Sequence, residues 1–265
     1  MRSETQMMDL ILSVATKDDR IRVVGMEGSR ANPNAPKDLF QDYDITYLVT
    51  QMQPFLQDER WLDVFGKRIM LQKPEQMSLF PPSLGGWFSY LMLFEDGNRI
   101  DLKIVPLADL PRYLDWDGRI RILLDKDNRI PQPPVYDGRY DLQPPDANHF
   151  DDCCNEFWWV STYVAKGLCR DEFLYAAEHL GAYVRPSLLR MLSWQTGLSH
   201  GFAIDVGKAY KYLPQFLPDK TWQALQQTFA FASNSQLWQA LQGCMSLFRQ
   251  ASHAVAQQMG YPYPD

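Results

Sequence analysis

Short apolar runs alternate with polar turns through residues 20–125 of the chain. Six runs have the length of strands, and a further stretch, 55–66, has helical spacing. The six runs are IRVVGMEG (21–28), DITYLVT (44–50), RIMLQ (68–72), WFSYLMLF (87–94), RIDLKIVP (99–106) and RIRILLD (119–125). This mixture predicts an α+β or α/β domain around a mostly antiparallel or mixed β-sheet flanked by helices, and we adopt the α+β class.

The run RIDLKIV alternates cleanly between apolar and polar positions. Its isoleucines and leucine fall on one face of a strand, and Arg99, Asp101 and Lys103 fall on the other. The residues EDGN at 95–98, between this run and the preceding one, are a hairpin signal. We therefore expect two antiparallel neighbours, with Asp101 on a solvated face.

A connector follows the first domain. Residues 130–146 (IPQPPVYDGRYDLQPPD) contain five prolines and little periodicity. Beyond about residue 150 the pattern becomes helical, with about five helices expected, one of them over 205–217. The predicted organisation is a sheet domain at 1–135 and a helical-bundle domain at 136–265.

Composition and charge narrow the class of protein. The chain has 265 residues, 46% of them hydrophobic and 22% charged, which is typical of a globular protein, and no run is long enough to cross a bilayer. The formal net charge of −6 opposes nucleic acid and favours cationic partners. The four cysteines and four histidines show no zinc-type spacing, so we expect reduced thiols and a cytoplasmic location, and the oligomeric state stays open.

The stretch EGSRANPNAPKDLFQDYDITYLV (27–49) carries the candidate chemistry. Side chains two positions apart on a strand project to the same side, so Asp42 and Asp44 face one point. Two carboxylates there repel each other, and a hard divalent cation such as magnesium relieves the repulsion. Asp101 can supply a third carboxylate if its strand lies beside theirs. Exposed acids with no ligand are the alternative reading.

The Gly28-Ser29 turn supplies a second feature, because a glycine lets the backbone approach a phosphate closely. No Lys-Ser or Lys-Thr follows at Walker spacing, so this is not a Walker loop. The ordered set of Gly-Ser, about a dozen residues, Asp-x-Asp and a separate Asp is similar to the pattern of the polymerase-β-like nucleotidyltransferases.

Longer blocks resemble one family within that superfamily, the aminoglycoside 6-adenylyltransferases, also called streptomycin adenylyltransferases. The resemblance extends from residue 1 to about 263, and family members typically continue with a short basic tail. The blocks are MRSETQMMDL, EGSRAN, PKDLFQDYDITY, FPP, SYLMLF, IDLKIVPL, DDCCNEFWWV, YVAKGLCRDE and LLRMLSWQTG.

The resemblance implies transfer of AMP from ATP to a hydroxyl of streptomycin, at position 6, with release of pyrophosphate and antibiotic resistance. It implies that Gly28, Ser29 and Arg30 hold the triphosphate. It further implies that Asp42 and Asp44 bind magnesium, with Asp101 as third acid and candidate general base.

The helical domain should add cations for the polyphosphate and a pocket for the guanidinium-bearing drug. The cofactor-binding candidates there are Lys166, Lys208 and Tyr212. The drug-binding candidates are Glu156, Trp158, Trp159, Asp171 and Glu178, and Glu178 is also a second candidate for the base. At least one of the adjacent rings Phe157, Trp158 and Trp159 is expected to be core, because three neighbours on a helix point in different directions. Each acid taken alone is more often solvated than a ligand.

Two further hypotheses belong to other classes. The first is a nucleotide-binding regulatory or antitoxin-like protein that keeps the fold without its chemistry. The second is a nucleotidyltransferase that acts on a protein or RNA acceptor, of which the acidic net charge weakens the RNA version.

Overall fold

The computed structural model describes residues 1–263, and it divides the chain into two compact units, Met1–Arg139 and Tyr140–Asp265. The boundary lies within the proline-rich connector, four residues after the predicted one at 135. Each unit has its own hydrophobic core and is described by itself.

The first unit is built on a six-stranded mixed sheet in the order β3-β4-β5-β2-β1-β6. Strands β2 and β5 pair in parallel and every other neighbouring pair is antiparallel, which confirms the predicted mixed sheet. The strands are β1 (Ile21–Met26), β2 (Tyr43–Val49), β3 (Arg68–Gln72), β4 (Phe88–Phe94), β5 (Arg99–Pro106) and β6 (Arg121–Asp125).

Four α-helices and short 3-10 turns accompany this sheet. The helices are α1 (Glu4–Lys17), α2 (Gly28–Ala31), α3 (Gln53–Gln57) and α4 (Leu110–Leu114), and the longest 3-10 segment is Glu59–Phe65. Helix α1 buries Met7, Ile11 and Ala15 in the main core with the apolar residues of the strands. The hydroxyl of Tyr47 donates to the carbonyl of Ile11 at 2.6 Å, which ties β2 to α1.

The predicted hairpin between β4 and β5 is present. Gly97 at its turn has φ +81°, and the Phe94 amide donates to the Asn98 carbonyl at 3.0 Å. The Asp96 carboxylate accepts from the Arg2 side chain at 2.6 Å, so the chain start is held to this turn. Because β5 pairs with β4 on one side and β2 on the other, the hairpin brings Asp101 beside β2.

The second unit is helical, as predicted. Its α-helices are α5 (Ala147–Cys169), α6 (Phe173–His179), α7 (Arg185–His200), α8 (Asp219–Gln227) and α9 (Asn234–Met259). A π-helical turn, Leu180–Val184, joins α6 to α7. The core lies between α5, α7 and α9, where the rings of Phe157 and Phe248 stack with centroids 3.7 Å apart.

The prediction of a helix over 205–217 is wrong. This segment forms only two 3-10 turns, Lys208–Tyr210 and Leu213–Gln215. Gly207, Ala209 and Tyr210 have φ of +73°, +54° and +61°, which a right-handed helix excludes. Over residues 1–263, no helix is both long enough and apolar enough to cross a membrane.

Candidate active site

The parallel pairing of β2 with β5 creates the centre of the site. In this register Asp44 is the direct partner of Asp101, and Thr46 is the partner of Lys103. Partners on neighbouring strands project to the same face of a sheet, so the two carboxylates lie side by side. The expected convergence of Asp44 and Asp101 on two adjacent strands is therefore present.

The Gly28 turn is fitted closely against Asp44. The Glu27 amide donates to the Asp44 carbonyl at 2.9 Å, and Gly28 follows with φ +67°. A Cβ atom built on Gly28 would lie 2.0 Å from the Oδ2 atom of Asp44. Glycine is required here for two reasons, since the backbone is left-handed and the space beyond its Cα belongs to a carboxylate.

Arg99 connects the acids of this site, a role that the sequence analysis did not assign to it. Its Nε and Nη2 atoms donate to the two carboxylate oxygens of Asp101, each at 2.7 Å. Its Nη1 atom lies 3.5 Å from the Asp42 carboxylate. A cation thus already lies between Asp42 and Asp101 and neutralises part of their charge. The signal in the sequence was an arginine two positions before Asp101 on the same strand face.

Burial and mutual repulsion disfavour the ionised forms of Asp42 and Asp44. Burial, with the neighbouring Asp101 carboxylate as the next cause, raises the pKa of Asp44 to about 6, although Lys103 works in the opposite direction. Burial also raises the pKa of Asp42, against the opposing effect of Arg99. A site of this kind favours a cation beside the carboxylates.

The three acids fit a divalent ion by their chemistry, but they do not form a ready ligand cluster. No group of three His, Cys, Asp or Glu side chains within residues 1–263 is arranged to hold a metal ion. At this site Arg99 instead binds both oxygens of Asp101 and lies near the Asp42 carboxylate. A preformed three-carboxylate metal site is therefore not what the structure shows.

Ser29 and Arg30 continue the turn as helix α2, but their side chains differ in use. Ser29 lines a cavity of about 590 Å³ whose wall also includes Lys37 and Arg121. Arg30 donates instead to the carbonyls of Asp42 and Gln41, at 3.0 and 2.9 Å. Its guanidinium also stacks 3.9 Å from the Tyr43 ring centroid, so this side chain holds the segment before β2, and Arg30 lines the same cavity as Ser29.

A buried polar layer lies under the acids. The Glu27 side chain accepts from the hydroxyls of Thr46 and Tyr113 and from the ammonium of Lys103, at 2.7, 2.5 and 2.8 Å. Sequence reasoning missed this group because Glu27 directly follows β1 while its partners lie on β2, β5 and α4, and only the fold brings them together.

In the second unit, Trp158 and Trp159 are neighbours on helix α5, but their side chains have different surroundings. Trp158 packs edge-on against Phe157 and Phe248, and its indole nitrogen donates to the Tyr263 hydroxyl at 3.1 Å. Trp158 is therefore partly buried against the core of this unit, which does not support its assignment to a drug pocket. Trp159 is 62% exposed and stays a candidate.

Four rings of α5 and of the α6–α7 region lie near one another, two of them exposed (Tyr175 and Tyr183) and two half-buried (Tyr163 and His179). Tyr163 is edge-on to His179 at 5.7 Å, and Tyr175 and Tyr183 lie 4.1 and 5.6 Å from His179. We call these four residues the aromatic row. The ammonium of Lys166, which is exposed, lies 5.6 Å from the Tyr163 ring centroid, so this lysine extends the same surface.

The three acids of this unit differ in their surroundings. Glu156 on α5 and Glu178 on α6 are exposed. Asp171 lies in the turn after α5 with φ +60°, and its carboxylate accepts from the amide of Asn234. Asp171 thus joins that turn to the start of α9, a structural contact that argues against its role as a drug ligand.

Lys208 and Tyr212 lie in the irregular segment that replaces the predicted helix. Lys208 is exposed directly after Gly207, and the Tyr212 amide donates to the Val206 carbonyl at 2.9 Å. Left-handed backbone at Ala209 and Tyr210 is costly for residues with side chains, and such strain is common at functional sites.

The turn at Gly28, Asp42 just before β2, Asp44 on β2 and Asp101 on the adjacent parallel strand follow the order that the sequence analysis associates with nucleotidyltransferases. The chain matches the family model "Streptomycin adenylyltransferase" over residues 1–265. It is 49% identical to the aminoglycoside 6-adenylyltransferase of Bacillus subtilis (strain 168) and 50% identical to that of Campylobacter jejuni. Each alignment covers 100% of this chain, with 94% and 92% of the respective relatives.

A crystal structure of an aminoglycoside 6-adenyltransferase from Bacillus subtilis is 46% identical to the chain, with a TM-score of 0.48 over 100% of this chain and 94% of that one. On the family match and the identities, the chain belongs to the streptomycin adenylyltransferase family and is an adenylyltransferase. This confirms the family resemblance found in the sequence.

Proposed function

We propose that this protein transfers AMP from ATP to the 6-hydroxyl of streptomycin and releases pyrophosphate, which inactivates the drug. The observation that carries the proposal is the contact of the Gly28 turn with Asp44, next to Asp101 on the neighbouring parallel strand. This arrangement puts a tight backbone turn and paired carboxylates at one place, as transfer of a nucleotidyl group from a polyphosphate requires.

The proposal assigns the triphosphate to the turn of Gly28 and Ser29, with the backbone N–H groups and the serine hydroxyl as donors. Lys37 and Arg121, which line the cavity beside Ser29, add positive charge on the same side. Arg30 acts through its bonds to the Asp42 and Gln41 carbonyls, and so fixes the segment that carries the first acid.

Asp42, Asp44 and Asp101 would hold magnesium, whose bound form supplies neutralisation of phosphate charge and polarisation of the attacked phosphorus. The acids can offer their oxygens only if Arg99 gives up its bonds to Asp101 and its approach to Asp42. In the enzyme without bound magnesium, Arg99 would limit the repulsion among carboxylates that lie side by side.

Two carboxylates compete for the role of general base, Asp101 and Glu178. Asp101 lies beside the metal-binding acids, but both of its oxygens accept from Arg99 in this structure. Glu178 is exposed on α6, next to His179 of the aromatic row. Comparing Asp101→Asn with Glu178→Gln separates them, since loss of the base removes the acidic limb of the pH profile of kcat.

The drug would bind through its guanidinium groups, for which exposed acids and flat rings are the matching chemistry. Glu156, Glu178, Trp159 and the aromatic row provide both kinds of group, and Lys166 and Lys208 are the proposed cations for the polyphosphate. We expect Trp159→Ala to raise KM for streptomycin with little change in kcat. Leu174→Ala, which changes an exposed side chain of α6, is the control.

The central experiment mixes the protein with ATP, magnesium and a panel of aminoglycosides, and follows pyrophosphate release and product mass. We expect adenylylated streptomycin from the wild type and none from Asp44→Asn. The control Asp58→Asn removes an exposed acid paired with Arg60 and should keep full turnover. The proposal would be contradicted if Asp44→Asn kept wild-type turnover, or if the wild type released pyrophosphate with none of the drugs in the panel.

The proposal places the enzyme in the cytoplasm, where ATP and magnesium are available and the four cysteines, all free thiols in the structure, stay reduced. Streptomycin is cationic and the chain is acidic, with a net charge of −6, so the global field favours this substrate over nucleic acid. No observation favours a regulatory role or a protein or RNA acceptor.

A further inference from the structure

Glu27 is the one acidic residue among the buried residues of 1–263, with 2% of its surface exposed. A carboxylate out of water is costly unless hydrogen bonds and an opposite charge replace its hydration. Glu27 has both, because two hydroxyls and one ammonium donate to its oxygens. Such a group is either a plain structural anchor or a device that sets the geometry of a neighbouring site.

The lack of a side chain at Gly25 leaves space for one of these bonds. Gly25 is the register partner of Thr46, and a Cβ atom at Gly25 would lie 1.7 Å from the Tyr113 hydroxyl oxygen. The tyrosine therefore crosses the strand through the space of a missing side chain to reach Glu27. The carboxylate is thereby bound to three elements, since Thr46 is on β2, Lys103 on β5 and Tyr113 on α4.

The same group touches the candidate active site in two ways. Glu27 directly precedes Gly28, and its amide donates to the Asp44 carbonyl, so a shift of Glu27 moves the turn relative to Asp44. Lys103 lies two positions after Asp101 on the same strand face, and it interacts electrostatically with Asp44. The Lys103 ammonium donates to Glu27 at 2.8 Å.

We propose that Glu27 is a positioning residue for adenylyl transfer, whose carboxylate fixes the Gly28 turn and keeps the Lys103 ammonium bound away from Asp44. The inference rests on the proposed function, in which Asp44 must be open to the nucleotide and its cation. Without the Glu27 charge, Lys103 is left to the site carboxylates on its own face of the sheet, among them Asp44, with which it already interacts. An ammonium bound there competes with the cation that accompanies the nucleotide.

The test uses Glu27→Gln, because glutamine keeps an oxygen for the two hydroxyls but presents an amide donor to Lys103. The direct readout is the affinity for the α,β-methylene analogue of ATP with magnesium, by calorimetry, below the melting transition of each variant. We expect binding about 10- to 100-fold weaker, the usual effect of removing a group that orients a ligating residue. KM for streptomycin should not change.

Two further variants separate positioning from stability. In Glu27→Gln combined with Lys103→Met the competing ammonium is gone, so we expect analogue affinity and turnover to return to within about threefold of wild type, a rescue that reports coupling between the two sites. Asp18→Asn is the control, since it breaks the ion pair with Arg20 in the turn before the first residue of β1, at the opposite end of that strand from the Gly28 turn. It should leave affinity unchanged.

Wild-type affinity in Glu27→Gln, or a double variant that binds no better than the single one, overturns the positioning role. The melting temperature alone decides nothing here, because a purely structural anchor changes it without changing affinity. The analogue-binding assay needs no drug. A wild type that adenylylates none of the panel while Glu27→Gln still loses affinity therefore refutes the proposed function and leaves this inference standing.

Discussion

Gly28→Ala is expected to impair catalysis far more than it destabilises the fold. The new methyl group would lie 2.0 Å from the Oδ2 atom of Asp44, whereas ordinary van der Waals contact begins at 3.4 Å. The two atoms must therefore move apart by about 1.4 Å. Because the obstacle is the end of a side chain, Asp44 can rotate away at small cost to the fold, but it then leaves the position that the chemistry needs.

The two costs can be estimated separately. Left-handed backbone at φ +67° costs an alanine about 1–2 kcal/mol relative to glycine, which lowers the melting temperature by a few degrees. A displacement of about 1 Å at a reacting centre costs on the order of 100-fold in rate, or about 2.7 kcal/mol of transition-state stabilisation. We therefore expect kcat/KM for ATP to fall at least about 100-fold.

Gly201→Ala is the matched control for the backbone term. Gly201 has φ +71°, and a Cβ atom there has nothing within 4 Å, so alanine meets the same strain without a clash. The assay compares steady-state pyrophosphate release and the melting temperature of both variants with the wild type. Equal melting shifts with loss of activity only in Gly28→Ala are expected. If Gly28→Ala keeps wild-type kcat/KM, the contact of the turn with Asp44 has no catalytic role.

Three further predictions concern the rest of the fold. The Arg2 guanidinium holds the pKa of Asp96 well below its usual value of 3.8, so the stability from this pair is complete above about pH 4 and is lost as pH falls through the lower pKa. The melting temperatures of wild type and Asp96→Asn should therefore converge on acidification, and a constant difference from pH 7 to 3 would contradict this. Cys169 is the exposed thiol of the four, and iodoacetamide at about pH 8 should add one equivalent to the native protein, located by mass spectrometry; modification of the buried thiols would contradict it. Arg185→Lys should cost about 1–3 kcal/mol in urea unfolding, because lysine lacks the planar group that stacks 3.9 Å from the Phe229 ring centroid, and an unchanged midpoint would argue against this contact.

Local patterns were sufficient wherever the relevant partner is near in sequence. The alternation of RIDLKIV and the turn residues at 95–98 predicted β5 and its hairpin, and both are present. The helix predicted at 205–217 is absent, and there the local pattern was misleading. The apolar spacing of this segment suits a helix, but Gly207, Ala209 and Tyr210 have left-handed backbone, which spacing does not reveal.

In the second unit the sequence placed the candidate residues on helices but did not decide which way they face. Trp158 and Trp159 are neighbours in the chain and differ in burial because α9 covers only one of them. The sequence pattern placed Asp171 among ordinary helix acids, yet in the fold its carboxylate accepts a hydrogen bond from Asn234, which is far along the chain. Side-chain direction on a helix follows from what packs against it, which no local window contains.

The sequence by itself determined the family, through its resemblance in many blocks along the chain. It also determined the mixed sheet followed by helices and the turn and aspartates of the candidate site, because these depend on spacing within short segments. Only the tertiary structure decided which charges meet. The parallel register of β2 and β5 sets Asp44 beside Asp101, leaves Arg99 between Asp101 and Asp42, and gathers Glu27 and Lys103 below them. Electrostatic interactions act through space, so their pattern exists only once distant segments of the chain are neighbours.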